Sequence, residues 1–336
     1  MNVIIPMAGM GKRLRPHTLT TPKPLLPIAG KPIVQRLVED IVGLSHASVE
    51  RIGYVTGSFG EEAEQHLLEV ADTLGAKGSI HYQHQPLGTA HAILCAAELL
   101  EGPVTVAFAD TLFRADFALD TQSDGVLWVQ QIQDPRQFGV VIVNDHGVIT
   151  EFAEKPKEFV SDLAMIGIYY FKEGQSLRNE LQYLIDHNIM NSGEYQLPDA
   201  LRRMVRKGAQ FTPGKVSDWM DCGNKDAMVD TNRKVLKYIK NSLATPASAT
   251  IEHSQISPLS KIGEGCVIRN SEIGSGVTLD DRVHVEDCTL QDCIVLEGSK
   301  IQRSVISNSM IGRYAQVSDY KGELSLGDFS TLTKGL

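Results

Sequence analysis

The sequence predicts an α/β protein in two parts: a mixed, mostly parallel sheet carrying helices over residues 1–241, and a short parallel β-helix over 251–336. Three observations predict it. Short runs rich in β-branched residues alternate with longer amphipathic runs through the first part. The stretch "SLATPASAT" (242–250) is small, polar and Pro-containing, which is a linker composition. Beyond it the apolar period changes to five or six residues.

The elements follow in order. "NVIIPM" (2–7) is a buried strand by composition, and 33–44 sets Ile33, Val34, Leu37, Val38, Ile41 and Val42 on one helical face. "RIGYVTG" precedes the helical "EEAEQHLLEVADTLG", "SIHYQ" precedes "GTAHAILCAAELL", and "PVTVAFAD" (103–110) is a further strand. Strands alternating with helices imply parallel pairing, with ligands beyond the carboxyl ends of the strands. "GVLWVQQI", "FGVVIVNDHGVITEF" with its "NDHG" turn, and "AMIGIYYF" are strands of an insertion expected to form a wall over the sheet edge. Helix returns over 175–207, "VSDWMDCGN" is a strand end and turn, and 226–241 is a last amphipathic helix.

Past the linker, Ile262, Ile268, Ile273, Leu279, Val285, Leu290, Leu296, Ile301, Ile306, Ile311 and Val317 recur, several near Gly, Asp or Glu. This is a hexapeptide β-helix pattern of roughly four coils, with the hand of winding left open by the spacing.

Composition narrows the function. The 336 residues carry 32 basic and 41 acidic side chains, net −9, which speaks against nucleic-acid or anionic-membrane partners. Any phosphate must be bound locally. Cys95, Cys222, Cys266, Cys288 and Cys293 are odd in number and form no C-x-x-C pair, so a reduced, cytoplasmic setting without a zinc site is expected. No run reaches the ~18 apolar residues of a membrane helix, and the N-terminus lacks the order of a signal peptide.

Against this acidic background, "AGMGKRLRPHTLTTPKPLLPIAGKP" (8–32) holds Lys12, Arg13, Arg15, Lys23 and Lys31 with no Asp or Glu. Ala8, Gly9 and Gly11 permit close backbone approach and positive φ, so successive N–H groups can face one anion. Pro22, Pro24, Pro27 and Pro32 are expected to hold Lys23 on a stiff extended segment. A Walker A loop fails because Pro6 and Arg13 occupy required positions, and the dinucleotide fingerprint fails at Leu14.

This stretch resembles the N-terminal motif of the sugar-1-phosphate nucleotidylyltransferases, and "QHQPLGTAHA", "FADT", "FGVV…EFAEKP" and "WMDCG" match further motifs in order. Five ordered motifs cover nearly the whole chain. The resemblance implies a Rossmann-like nucleotidyltransferase domain followed by a left-handed hexapeptide β-helix. It also implies attack of a sugar 1-phosphate on the α-phosphorus of a nucleoside triphosphate. Glucose-1-phosphate thymidylyltransferases and mannose-1-phosphate guanylyltransferases are the groups it most resembles. Thymidylyl transfer to glucose 1-phosphate is the leading expectation; the alternatives are a mannose-1-phosphate guanylyltransferase and a catalytically silent regulatory subunit that binds nucleotide sugar.

Two like-charged reactants repel by about 4 kcal/mol per charge pair at 4 Å and an effective dielectric of 20, so cations are needed and a general base is not. By resemblance, Asp110 and Asp221 hold Mg²⁺, Arg13 takes the triphosphate, and Lys23 the α-phosphate. Ala8, Gly9, Gly11, Lys12, Gln83, Gly88 and Thr89 belong to the nucleotide site, with the Gln83 amide reading the base by a paired donor and acceptor while Gly88 leaves it room. Lys155 holds the sugar phosphate, Glu154 its hydroxyls, and Gly139 packs against the ring. Glu154 and Lys155 reach one ligand only if the strand bends there. Lys12 replaces a usual Thr and Ala109 a usual Gly. His81, His84, His91, His253 and His284 form no ligand set; His284 lies where some fused relatives carry an acyltransferase. The β-helix is expected to mediate homo-oligomer contacts or to pack beneath the first domain.

Overall fold

The computed structural model describes residues 1–9, 11–44, 48–115, 123–136 and 138–333. The chain forms two compact units, Met1–Gly9 with Gln35–Trp219 and Met10–Val34 with Met220–Leu336. Segment 10–34 and the last long helix group with the β-helix in the second unit.

The first unit is built on strands Lys77–Tyr82, Arg51–Thr56, Asn2–Pro6 and Val104–Ala107, adjacent in that order and parallel. Leu163–Phe171 joins Val104–Ala107 antiparallel. On its other side it pairs with Gly125–Gln131, and at Ala164, opposite that strand, it also pairs with Val140 of Gly139–Val143. The hairpin Gly139–Val143/Ile149–Glu154 turns on Asn144, whose Oδ1 accepts from His146 N and Val148 N, each at 3.0 Å. The expected wall is therefore a continuation of one nine-stranded mixed sheet. An open edge at Val104–Ala107 would leave main-chain groups unpaired, and the antiparallel strand satisfies them.

Ile4, Val55 and Val106, one from each of three parallel strands, pack with Ile93, Leu177 and Leu201 from helices Thr89–Leu94, Gly174–Asp186 and Leu197–Arg206. Each such side chain contributes about 2 kcal/mol by leaving water. The parallel core is thereby held rigid up to its carboxyl ends. Among the described residues no helix is long and apolar enough to cross a membrane.

In the second unit Thr250, Val267, His284, Lys300, Gln316 and Thr331 stand in register on one stack of parallel strands. Successive coils thus take 17, 17, 16, 16 and 15 residues. Two further stacks run through Ile273, Leu290 and Ile306, and through Leu279, Val295 and Ile311. Every apolar position of the six-residue pattern is buried. Cys266, Cys288 and Cys293 lie among them, and all five cysteines are free. Burial pushes the Cys288 and Cys293 thiols up to about 11 and about 12, so they are inert packing groups.

Residues 242–250 are not a loose tether. Gly265 N donates to Ser248 Oγ at 3.0 Å, and Thr250 already opens the first strand stack. Segment 10–34 is also ordered differently from expectation: it forms 3-10 turns Lys12–Leu14, His17–Leu19 and Lys23–Leu25, then a short hairpin pairing Ile28 with Lys31. Lys23 opens a turn and does not lie on an extended segment. Pro24 fits because the first residues of a helical turn need no donor.

Candidate active site

The expected nucleotide and metal residues of the first unit follow the carboxyl ends of its parallel strands. Ala8 and Gly9 leave Asn2–Pro6, Gln83 and Gly88 leave Lys77–Tyr82, and exposed Asp110 leaves Val104–Ala107. Gln83 N continues the ladder by donating to Thr56 O at 2.9 Å. Sheet geometry alone delivers these residues to one edge.

Several roles change on inspection. Gly9 has no positive φ, and only Gly11 in the glycine run does, at 57°. Gly88 (φ 111°) packs closely on the protein as well: a methyl group there would stand 2.4 Å from Tyr195 O. Thr89 is occupied as well, since its Oγ1 accepts from Leu197 N at 2.9 Å and donates to Gln196 Oε1 at 3.2 Å. It secures the start of helix Leu197–Arg206. Gln83 Nε2 donates to Gly88 O at 3.0 Å and lies 3.1 Å from His91 Nδ1, so both amide protons are engaged. The donor half of the expected base-reading pair is spent.

Glu154 and Lys155 come together as the strand bend requires. Glu154 ends its strand opposite Gly139, and Lys155 takes φ 43°. That left-handed conformation costs of order 1 kcal/mol in a residue with a Cβ. It brings Lys155 Nζ to 3.6 Å from Glu154 Oε1 on an exposed surface. Gly139 makes room for the carboxylate: a methyl group there would lie 2.8 Å from Glu154 Oε2 and 2.7 Å from Met165 Cε. Tyr169, absent from the sequence reading, is buried where it feels both Glu154 and Asp110. Burial raises its phenol far above the ordinary range, and the two carboxylates raise it further. The signal available was its place in "IGIYYF" on a strand next to the one that Asp110 follows.

In the second unit, Gly11 packs directly on Lys23. A methyl group at Gly11 would stand 2.9 Å from Lys23 Cβ and 3.0 Å from Thr18 Cγ2, and Thr18 Oγ1 donates to Gly11 O at 2.9 Å. Lys23 is 9% exposed, whereas Lys12 and Arg13 are exposed on the adjoining turn. Asp221 ends strand Asp218–Asp221, and its carbonyl accepts from Thr231 Oγ1 at 2.7 Å. Gly223 marks how Arg13 and Asp221 meet: a methyl group there would lie 3.0 Å from both Asp221 carboxylate oxygens and 3.3 Å from Arg13 Nη2. The loop's guanidinium and the strand-end carboxylate therefore flank one point.

An α/β sheet with acid and amide groups at its strand ends, in a chain that also braces a buried lysine beside exposed cations, is built to handle phosphate esters. The chain belongs to the nucleotidyl transferase family, whose sequence profile matches residues 2–238. It is 28% identical over 360 residues to a glucose-1-phosphate thymidylyltransferase of Streptomyces griseus, covering 98% of both chains. It is 29% identical to a protein of Oryza sativa subsp. japonica described as a probable mannose-1-phosphate guanylyltransferase, covering 95% of this chain and 88% of that one. A solved structure from Bacillus anthracis, described as a "putative glucose-1-phosphate thymidylyltransferase" in complex with a sucrose, superposes with TM-score 0.56 at 24% identity. It covers 69% of this chain and 93% of that one, and shows the shared fold.

Proposed function

We propose that the protein transfers a nucleotidyl group from a nucleoside triphosphate to a sugar 1-phosphate, with thymidylyl transfer to glucose 1-phosphate as its reaction. The observation that carries this reading is the Glu154–Lys155 turn. A carboxylate laid over Gly139 accepts from sugar hydroxyls while an ammonium 3.6 Å away takes the phosphate. The S. griseus relative supports the base and sugar. The rice relative supports guanylyl transfer to mannose 1-phosphate as the second reading.

In the reaction a sugar-phosphate oxygen bonds to the α-phosphorus, the bond to the β-phosphate's bridging oxygen breaks, and pyrophosphate leaves. No proton has to be removed, because the phosphate nucleophile is already ionised. Arg13 and Lys12 neutralise the triphosphate and Lys23 the charge at the α-phosphate. Lys23 acts strongly because it is buried, where an ion pair is less screened than in water. Lys155 and Glu154 fix the acceptor.

Asp110, in the turn between strands Val104–Ala107 and Thr111–Arg114, and Asp221, which closes a strand, offer hard oxygen ligands, which suits a cation that takes one or two carboxylates and keeps its waters. They would hold Mg²⁺. When bound it supplies charge neutralisation and a template for the phosphates. The free thiols support a cytoplasmic setting. Pyrophosphate release, measured over a panel of triphosphates and sugar 1-phosphates with Mg²⁺, tests the proposal. Turnover for dTTP with glucose 1-phosphate above all other pairs is expected; silence for every pair would leave a nucleotide-sugar-binding regulatory subunit.

A further inference from the structure

The amide of Gln83 is held by two anchors, and the second is a histidine that the proposed chemistry does not use. Gly88 O, 3.0 Å from Gln83 Nε2, is a carbonyl and accepts only. The amide group facing it must therefore be the NH₂, since an amide oxygen there would meet another oxygen. His91 Nδ1, 3.1 Å from the same nitrogen, takes the second proton. That fixes the ring as the tautomer with hydrogen on Nε2 and a lone pair on Nδ1. Burial lowers the His91 pKa, which keeps the ring neutral. Cys95 Sγ is the other polar group near Nδ1, at 4.0 Å. His91 sits within the short helix Thr89–Leu94 that starts at Gly88, so both anchors of the amide are fixed by one element.

We propose that His91 is a positioning residue for base selection: it consumes the free donor of Gln83, so the amide presents only its carbonyl oxygen to the nucleotide. A lone acceptor pairs with a base whose ring edge carries an imino N–H, namely thymine, uracil or guanine. Cytosine and adenine place a ring-nitrogen lone pair at the imino position, so in that pose they meet lone pair with lone pair and can offer the oxygen only their exocyclic amine from a shifted pose. Without His91, the terminal torsion of Gln83 has one anchor in place of two and is broad and roughly two-fold. The amide can then turn its nitrogen outward and accept the bases it otherwise rejects. The inference rests on Gln83 belonging to the nucleotide site, and the experiment separates the two.

The measurement is the ratio of kcat/KM for dTTP over dCTP, with glucose 1-phosphate as acceptor, in the wild type and in His91→Phe, His91→Asn and Gln83→Ala. His91→Phe should lower the ratio about tenfold, the value of one hydrogen bond, chiefly through a lower KM for dCTP. His91→Asn places an amide oxygen where Nδ1 stood and should restore the wild-type ratio. His91→Ala gives the same reading as His91→Phe if the larger ring disturbs folding. A Gln83→Ala variant with the wild-type ratio would remove Gln83 from the base site and sink the reading beneath this one. A ratio that moves in Gln83→Ala but stays fixed in His91→Phe and His91→Ala would overturn the role of His91 alone.

Discussion

His17 Nε2 lies 3.1 Å from Ser325 Oγ, a contact that closes 308 positions of chain and ties the cationic segment to the last coils of the β-helix. Neighbouring contacts repeat the connection: Thr20 Oγ1 donates to Asp328 Oδ2 at 2.7 Å, and Arg313 Nη1 to Thr21 Oγ1 at 3.2 Å. Ala29 N donates to Asn232 Oδ1 at 2.8 Å, and Asn232 Nδ2 to Gly276 O at 2.9 Å. The β-helix is thus a scaffold for the segment that carries Arg13 and Lys23.

The His17 contact makes this scaffold acid-sensitive. Burial lowers the imidazole pKa to about 4, with Asp328 opposing, and Nδ1 has no hydrogen-bond partner among the described residues. Below pH ~6.5 the unfolded imidazole takes a proton while the folded one does not, so the unfolded state binds more protons. Stability from this group is present above pH ~6.5 and is lost as the pH falls towards about 4, by no more than about 3 kcal/mol. Urea midpoints at successive pH values should decline more steeply in wild type than in His17→Gln. Parallel declines would exclude His17.

Removing the β-helix should disable the cationic segment itself. A chain ending at residue 240 lacks Arg313, Ser325 and Asp328, and leaves Asn232 without Gly276 and Thr278. Binding of a fluorescent triphosphate should weaken by tenfold or more, even if the sheet unit retains its circular dichroism. Undiminished binding would show that the segment orders without its scaffold.

Asp110→Asn keeps the shape of the turn after strand Val104–Ala107 and removes its charge. Turnover is expected to fall on the order of a hundredfold or more, as for loss of a single charge-stabilising group, and the Mg²⁺ concentration for half-maximal rate to rise. Wild-type values for both would take Asp110 out of the site.

Lys155 separates backbone from charge. Its φ of 43° favours glycine, so Lys155→Gly should leave stability unchanged or raise it by up to about 1 kcal/mol. The same variant should raise KM for the sugar 1-phosphate by at least about tenfold, a shift that added salt cannot reverse. A stable variant with normal KM would assign the turn a purely structural role.

Much of the architecture was legible because it follows from short-range pattern. Period-two and period-3.6 runs located the parallel strands and their helices, and the six-residue recurrence located the β-helix through positions such as Ile268, Val285 and Ile301. The placement of Gln83 and Asp110 just beyond the carboxyl ends of parallel strands was legible for the same reason. Less legible were features that depend on which remote groups meet. Gly88 and Thr89 read as ligand contacts, and local pattern did not show that Gly88 also packs against Tyr195 or that Thr89 Oγ1 accepts from Leu197 N. Proline content suggested an extended Lys23 segment, whereas 3-10 turns formed because the β-helix supplies the partners that stabilise a compact path.

The sequence by itself determined the order of elements, the cationic character of segment 10–34 and the family of the chain, since each is a property of local composition and spacing. Only the tertiary structure decided that this segment belongs with the β-helix and that Glu154 and Lys155 turn towards each other. It alone decided that His91 governs the face shown by the Gln83 amide. Hydrogen bonds and packing between residues distant in the chain set these relations, and no local periodicity encodes which distant partner a side chain will meet.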